Sequence, residues 1–314
     1  ALYKPYQSLN AYLKKKYGEK IYKIALDGGF TCPNRDGTCG TRGCIFCSAG
    51  GSGEFATAIR QNSSIDAQIT QALARFGNKQ TGQRFIAYFQ AYTGTYAAPE
   101  RLYALYHRAL SHPKIIGISI ATRPDCLPAP VLDVIKQCQM EFPDKFVWIE
   151  LGLQSVHEKT ALYIRRGYPL SCFEGALETL QTMSVPVIVH VILGLPGETR
   201  ADMLATIDYL SHKNIFGIKL QLLHVLRGTD LAAEYERGVF SCLSKEAYID
   251  LLCSCIDHLN PAIVLHRVTG DGPKDLLIAP IWSLQKRDVL NSLHKALRDG
   301  EHFQGKDFGN HRPL

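Results

Sequence analysis

The chain has 314 residues, 46% hydrophobic and 20% charged, with a formal net charge of +6, which fits an ordinary soluble globular protein able to bury a sizeable core as one large domain. No apolar stretch reaches the roughly 20 residues of a membrane span; the longest, 185–197, is broken by Pro186, His190 and Pro196. The amino terminus carries no apolar signal core, so a cytoplasmic protein with no membrane role is expected.

The lead-in, residues 1–20, is rich in tyrosine and lysine. Lys14, Lys15 and Lys16, set among Tyr3, Tyr6, Tyr12, Tyr17 and Tyr22, suit a basic, aromatic RNA contact, or equally a solvated face. From residue 21, short β-rich runs alternate with segments of helical period, the pattern of a parallel sheet. Strands are predicted at 21–26, 85–90, 115–121, 146–151, 187–193 and 217–222. Helices are predicted at 64–76, 99–110, 130–141, 155–164, 172–183 and 199–212, with Pro99 and Pro130 suited to first turns. Six such units over 21–225 make an incomplete barrel or an open doubly wound sheet. Both architectures put chemistry at strand carboxyl ends. Beyond 226 the alternation weakens into helices at 244–259 and 283–298, a carboxyl-terminal extension to 314.

Four of the ten cysteines fall between Cys32 and Cys47, directly after the first predicted strand. In a reducing compartment a tight group of thiols points to metal ligation or catalysis before disulfides. The other six, Cys126, Cys138, Cys172, Cys242, Cys253 and Cys255, suit buried small apolar positions. Two metal readings compete: four thiolates around a zinc ion, or three holding a [4Fe-4S] cluster with one iron left open. Zinc sites of this kind draw two separated pairs together, and only Cys44 and Cys47 have pair spacing. The zinc reading would make the chain a non-catalytic, zinc-stabilised RNA-binding module.

Cys32, Cys44 and Cys47 form a C-x11-C-x2-C arrangement. With the flanking run Leu26-Asp27-Gly28-Gly29-Phe30-Thr31-Cys32-Pro33-Asn34-Arg35-Asp36-Gly37 and Gly43-Cys44-Ile45-Phe46-Cys47, it resembles the radical S-adenosylmethionine (SAM) family related to the catalytic subunit of Elongator, in particular its bacterial YhcC/YtqA-like branch. The resemblance implies an incomplete (β/α)6 TIM-type barrel with a mostly helical extension. It implies an enzyme that cleaves SAM reductively with a [4Fe-4S] cluster on Cys32, Cys44 and Cys47, leaving Cys39 surplus. An electron donor such as flavodoxin or ferredoxin is implied with it.

The remaining motifs fall at predicted strand ends. Gln90, Tyr92, Thr93 and Thr95, around Gly94, stand where the superfamily binds the SAM amino group; Thr122 and Arg123 follow the third strand, and Glu150 and Gln154 end the fourth. Gln154 matches a ribose contact, since an amide both donates to and accepts from hydroxyls. Arg166 matches an arginine against the SAM carboxylate. His190 stands near the ribose, or is a hydrogen-bonded core residue, and Phe46 near adenine. Relatives include enzymes that modify the wobble uridine of tRNA, so tRNA is the implied substrate, with a protein or metabolite as the alternative. His266 to Pro273 and Lys306 to Arg312 also resemble this branch and would shape the substrate pocket, or merely pack as turn and tail.

Overall fold

The computed structural model describes residues 5–50, 64–76, 83–270 and 272–309. Tyr3, Asp271 and Asn310 to Arg312 lie outside them. Six strands alternate with helices in the predicted order: β1 (Tyr22–Leu26), β2 (Phe85–Phe89), β3 (Ile115–Thr122), β4 (Phe146–Gln154), β5 (Val187–Leu193) and β6 (Gly217–Leu222). The helices of this half are α1 (Leu9–Tyr17), α2 (Ile65–Phe76), α3 (Pro99–Ser111), α4 (Ala129–Glu141), α5 (Glu158–Tyr163), α6 (Leu170–Thr182) and α7 (Arg200–Ser211). The extension adds β7 (Val225–Leu226), α8 (Asp230–Glu236), α9 (Lys245–His258), β8 (Val264–Arg267), β9 (Leu277–Ala279) and α10 (Lys286–Asp299).

The sheet is wholly parallel, in the order β1-β2-β3-β4-β5-β6-β8, curled into a half-barrel whose edges are β1 and β8. The extension thus supplies a seventh barrel strand, too short at four residues to stand out as a β-rich run. It also adds the antiparallel pair β7–β9 beside the barrel mouth. Strand β4 continues three residues past its predicted end and α5 starts three residues late, because Gln154 adopts φ 67° and turns the chain out of the sheet.

Alternation along each strand sorts residues between two environments. Outward residues such as Ala87, Phe89, Ile149, Leu151, Val189 and Leu220 pack beneath the helices in the main core. Inward residues form three layers. At the strand amino ends, Ile86, Trp148 and Ile188 join Leu13 of α1 in a separate apolar cluster with Tyr12, Tyr17 and Phe216. Helix α1 therefore plugs the bottom of the barrel; it is capped by the Ser8 hydroxyl at one end and by Gly18 at φ 77° at the other. Two residues up each strand the interior becomes ionic, with Lys23, Tyr88, Ser119, Glu150, His190 and Lys219 in mutual contact. Above them, Gln90, Gly152, Ile192 and Gln221 border a cavity at the carboxyl ends.

Candidate functional site

The loop after β1 folds on itself before it meets the barrel. Backbone N–H groups of Arg35 and Asp36 donate to the Cys32 carbonyl, Gly43 to Asn34 (2.8 Å) and Cys47 to Cys44 (3.0 Å), winding the loop so that three thiols face inward. It is pinned to the far wall through Ile45, whose N–H donates to the Ile164 carbonyl and whose carbonyl accepts from Leu231. Cys32, Cys44 and Cys47 all line one cavity of about 330 Å³. Cys39 does not line it and is exposed, its N–H tied to the Pro33 carbonyl. Among the described residues no three His, Cys, Asp or Glu side chains converge on a point that would seat a single metal ion. A four-iron cluster spreads its thiolate ligands farther apart than one ion does, so the inward trio suits the larger group.

Polar groups surround the thiols. Asn34 Nδ2 lies 3.5 Å from the Cys44 sulfur and donates to the Arg165 carbonyl at 2.8 Å. Arg123 Nη1 lies 3.8 Å from the Cys32 sulfur while its fork grips Asp125 at 2.7 and 2.8 Å. Arg35 donates to the carbonyls of Cys47 (3.0 Å) and Ser48. Burial pushes the Cys44 thiol up to about 12, against the pull of Asn34 and Arg123.

Phe46, Gln90, Tyr92, Thr93, Thr122, Arg123, Glu150, Gln154, Arg166 and His190 line the same cavity. Thr95 is the exception: it is buried behind the wall, bonded to the Thr122 hydroxyl at 2.6 Å and to the Cys126 carbonyl. In the glycine turn, the Thr93 carbonyl accepts from Tyr96 and the Gly94 carbonyl from the Tyr106 hydroxyl. Gly94 is required for a close approach: a Cβ there would stand 2.8 Å from the Ala121 carbonyl oxygen. Tyr92 and Gln154 on the cavity wall, and Arg165 between the lining residues Ile164 and Arg166, hold positive φ between 56° and 67°, a concentration of backbone strain around the cavity.

Arg166 is the largest fully buried side chain among the described residues, and three of its N–H bonds reach the carbonyls of Tyr168, Leu153 and Ser155 at 2.8–3.0 Å. Its fork chiefly braces the β4–α5 turn. Two buried polar atoms on the cavity wall have no hydrogen-bond partner: Gln154 Oε1, and Arg166 Nη2, whose nearest acid, Glu158, is 3.6 Å away. An acceptor without a donor, and an arginine N–H held only by a long ion pair, are what a ribose hydroxyl and a carboxylate would satisfy.

Glu150 and His190 bind each other. Glu150 accepts from His190 Nε2 (2.7 Å), Lys23 (3.0 Å), Ser119 (2.5 Å) and Lys219. Burial works against its ionisation, but Lys219, Lys23 and the His190 bond outweigh it and hold the carboxyl well below the usual range. Burial takes His190 down to about 4, with Lys219 adding to the effect and Glu150 opposing it, so the ring is neutral at pH 7. Asn34 and Arg35 belong to the site and were legible only as part of the loop. Sequence reasoning does not single out Lys23, Tyr88 or Lys219, although a lysine inside the apolar run 218–222 is a signal; Arg267, Gly270, Gly272 and Pro273, from the stretch expected to shape the pocket, do line the cavity.

The family model "Radical SAM superfamily" matches residues 37–210, and "Radical_SAM C-terminal domain" matches 215–299. The Bacillus subtilis protein YtqA is 41% identical over 305 residues, 97% of this chain and 93% of that protein. The Escherichia coli K12 protein YhcC is 37% identical over 287 residues, 91% of this chain and 90% of that one. Among solved structures, Methanocaldococcus infernus Elp3 lacking its first 46 residues superposes with a TM-score of 0.65 at 14% identity, covering 90% of this chain and 63% of that one, a likeness of fold. Among the described residues, no helix is long and apolar enough to cross a membrane.

Proposed function

The chain belongs to the radical SAM superfamily, whose cofactors are a [4Fe-4S] cluster and SAM, and on that premise we propose that Cys32, Cys44 and Cys47 hold the cluster of an enzyme that modifies tRNA at a wobble uridine. One observation carries the assignment: three thiols from a single loop share a cavity with Gln154 Oε1 and Arg166 Nη2, two buried atoms without a hydrogen bond, while the fourth thiol faces solvent.

When bound, the pair supplies a primary carbon radical from reductive cleavage of SAM, with methionine as the other product. The chain's own residues do the rest. Arg35, Asn34 and Arg123 hold the loop and set positive charge beside the thiolates. Gln154 orients the ribose, Arg166 Nη2 meets a carboxylate, and Phe46 packs beside the base. Phe46 also leans on the apolar cluster of Ile45, Ile164, Ile192 and Leu223, which keeps water from one side of the reacting centre. The plugged barrel bottom closes the other. Reduction from outside, by a protein such as flavodoxin or ferredoxin, completes the proposed requirements.

The RNA part draws on the family resemblance and on the net charge of +6. The basic lead-in gives it little: α1 lies at the barrel end opposite the thiols, and Lys16 rests over the rings of Tyr12 and Tyr17. Anaerobic reconstitution with iron, sulfide and dithionite tests the chemistry; an intact cluster that yields no 5'-deoxyadenosine from SAM overturns it. Nucleoside profiling of tRNA from a deletion strain tests the substrate. An unchanged wobble uridine profile would redirect the search to a protein or metabolite.

A further inference from the structure

Two guanidinium groups on the cavity wall share one aromatic ring. Arg123 follows β3 and Arg166 follows α5, yet both guanidinium carbons lie over Tyr168, 5.1 and 5.0 Å from its ring centroid. All three side chains are buried and line the cavity. The ring is fixed at its far edge, where the Tyr168 hydroxyl donates to the Gly152 carbonyl. Gly152 leaves room for it: a Cβ there would stand 3.3 Å from the hydroxyl oxygen.

Each guanidinium is held along one edge and left with one nitrogen for other work. Asp125 takes Nε and Nη2 of Arg123, and Nη1 reaches to 3.8 Å from the Cys32 sulfur. Backbone carbonyls take Nε and Nη1 of Arg166, and Nη2 keeps a long ion pair with Glu158 at 3.6 Å. Bonds along one edge still let a flat group tilt about that edge; a ring packed on its face stops the tilt. The same turn also abuts the cysteine loop. Gly167 holds φ 87°, and a Cβ on it would stand 2.9 Å from Asn34 Oδ1 and 3.1 Å from Arg123 Nη2.

We propose that Tyr168 is a positioning residue for both cofactors, its ring setting the planes from which Arg123 aims an N–H at the Cys32 sulfur and Arg166 aims one at the carboxylate of SAM. The inference rests on the cluster and SAM sites proposed for this cavity. An N–H directed at a ligating sulfur favours the more negative, reduced cluster and raises its potential.

The test compares anaerobically reconstituted wild-type protein with Tyr168→Leu and Tyr168→Phe. Two quantities are read: the cluster potential without SAM, by redox titration followed by electron paramagnetic resonance, and the calorimetric affinities for SAM and decarboxylated SAM. Tyr168→Leu removes the ring and is expected to lower the potential by about 59 mV, tenfold in the reduction equilibrium of a one-electron couple. It should also cut the preference for SAM over its decarboxylated analogue about tenfold, the scale of one misaligned charge-assisted hydrogen bond. Tyr168→Phe keeps the ring and should retain both. Water filling an emptied space favours the reduced cluster and moves the potential the opposite way, so the sign separates lost aim from loosened packing. An unchanged or raised potential in Tyr168→Leu, a change in only one of the two quantities, or a Tyr168→Phe protein that behaves like Tyr168→Leu overturns the proposal. Where Tyr168→Leu takes up no cluster, Arg123→Lys decides, because it keeps the charge without the fork and should lower the potential while sparing the SAM preference. An unchanged potential or a lost preference there overturns the proposal too. Wild-type protein that takes up no [4Fe-4S] cluster, or binds SAM and its decarboxylated analogue alike, overturns the cofactor sites themselves and this inference with them, a failure read before any variant is compared.

Discussion

The two ends of the barrel are built from the same strands and differ in almost everything else. At the amino ends, Ile86, Trp148 and Ile188 meet Leu13 in a dry plug, with Trp148 stacked on Phe146 at 4.0 Å. Two residues up, the same strands present Tyr88, Glu150 and His190, above them Gln90 and Gln221 reach the cavity, and Tyr92 and Gln154 on its wall hold positive φ. The lesson is a division of labour along one strand. Two residues of travel, one period of the pleat, separate a position whose packing supports the fold from one whose polarity and strain weaken it in favour of chemistry.

Substitutions at each end break or sharpen that contrast. The largest effect is expected at the thiols. Cys44→Ala should abolish cluster incorporation and 5'-deoxyadenosine formation, measured as iron content and product by chromatography, while Cys39→Ala leaves both intact. At the other end, Trp148→Ala empties the plug and should lower stability by about 3–5 kcal/mol in urea unfolding. Cluster content and SAM binding should survive wherever the protein remains folded; loss of both in a folded Trp148→Ala protein would erase the proposed division.

Between the ends, the ionic layer makes stability depend on acid. The unfolded imidazole of His190 takes a proton below about 6.5, whereas the folded one resists until about 4. In that window the unfolded state binds the extra proton, so stability is full above 6.5 and is lost progressively as pH falls, by up to about 3 kcal/mol. The carboxyl of Glu150, held low, adds a loss of the same sign at more acidic pH, as the fall passes its folded value. His190→Gln keeps a donor for Glu150 and should flatten the upper part of the curve, checked by urea midpoints between pH 4 and 7.

The sequence is legible where the chemistry is contiguous. Residues 27–47 hold every cysteine of the site, and the alternation of six β-rich runs with helical segments gives a parallel sheet, because buried parallel strands leave an apolar signature; the choice of a barrel over an open doubly wound sheet comes from the family resemblance. The ionic layer escapes notice because its members come one from each strand. Lys23, Tyr88, Ser119, Glu150, His190 and Lys219 are far apart in the chain and meet only when the sheet curls. Thr95 escapes the pattern for a different reason: it sits in the turn with Gly94, six residues past the end of β2, where its hydroxyl is drawn to Thr122 and the Cys126 carbonyl and away from the cavity. The four-residue β8 has a register shift against β6 and too little length to show a period.

The smallest effect is expected where composition draws the eye first. Lys14, Lys15 and Lys16 occupy the last turn of α1, where positive charge favours the negative end of the helix, and Lys16 also touches two tyrosine rings. Replacing all three by serine removes those modest terms and should cost less than about 1 kcal/mol, because the plug itself depends on Leu13 and its apolar neighbours. Formation of 5'-deoxyadenosine should be unchanged, since the thiols lie at the opposite end of the strands. If tRNA reaches the site from the carboxyl-end rim alone, the triple variant retains tRNA affinity in a filter-binding assay at 50 mM salt. A large loss there would mean that the RNA wraps the barrel from mouth to plug, and that the end assigned here to stability also takes part in recognition.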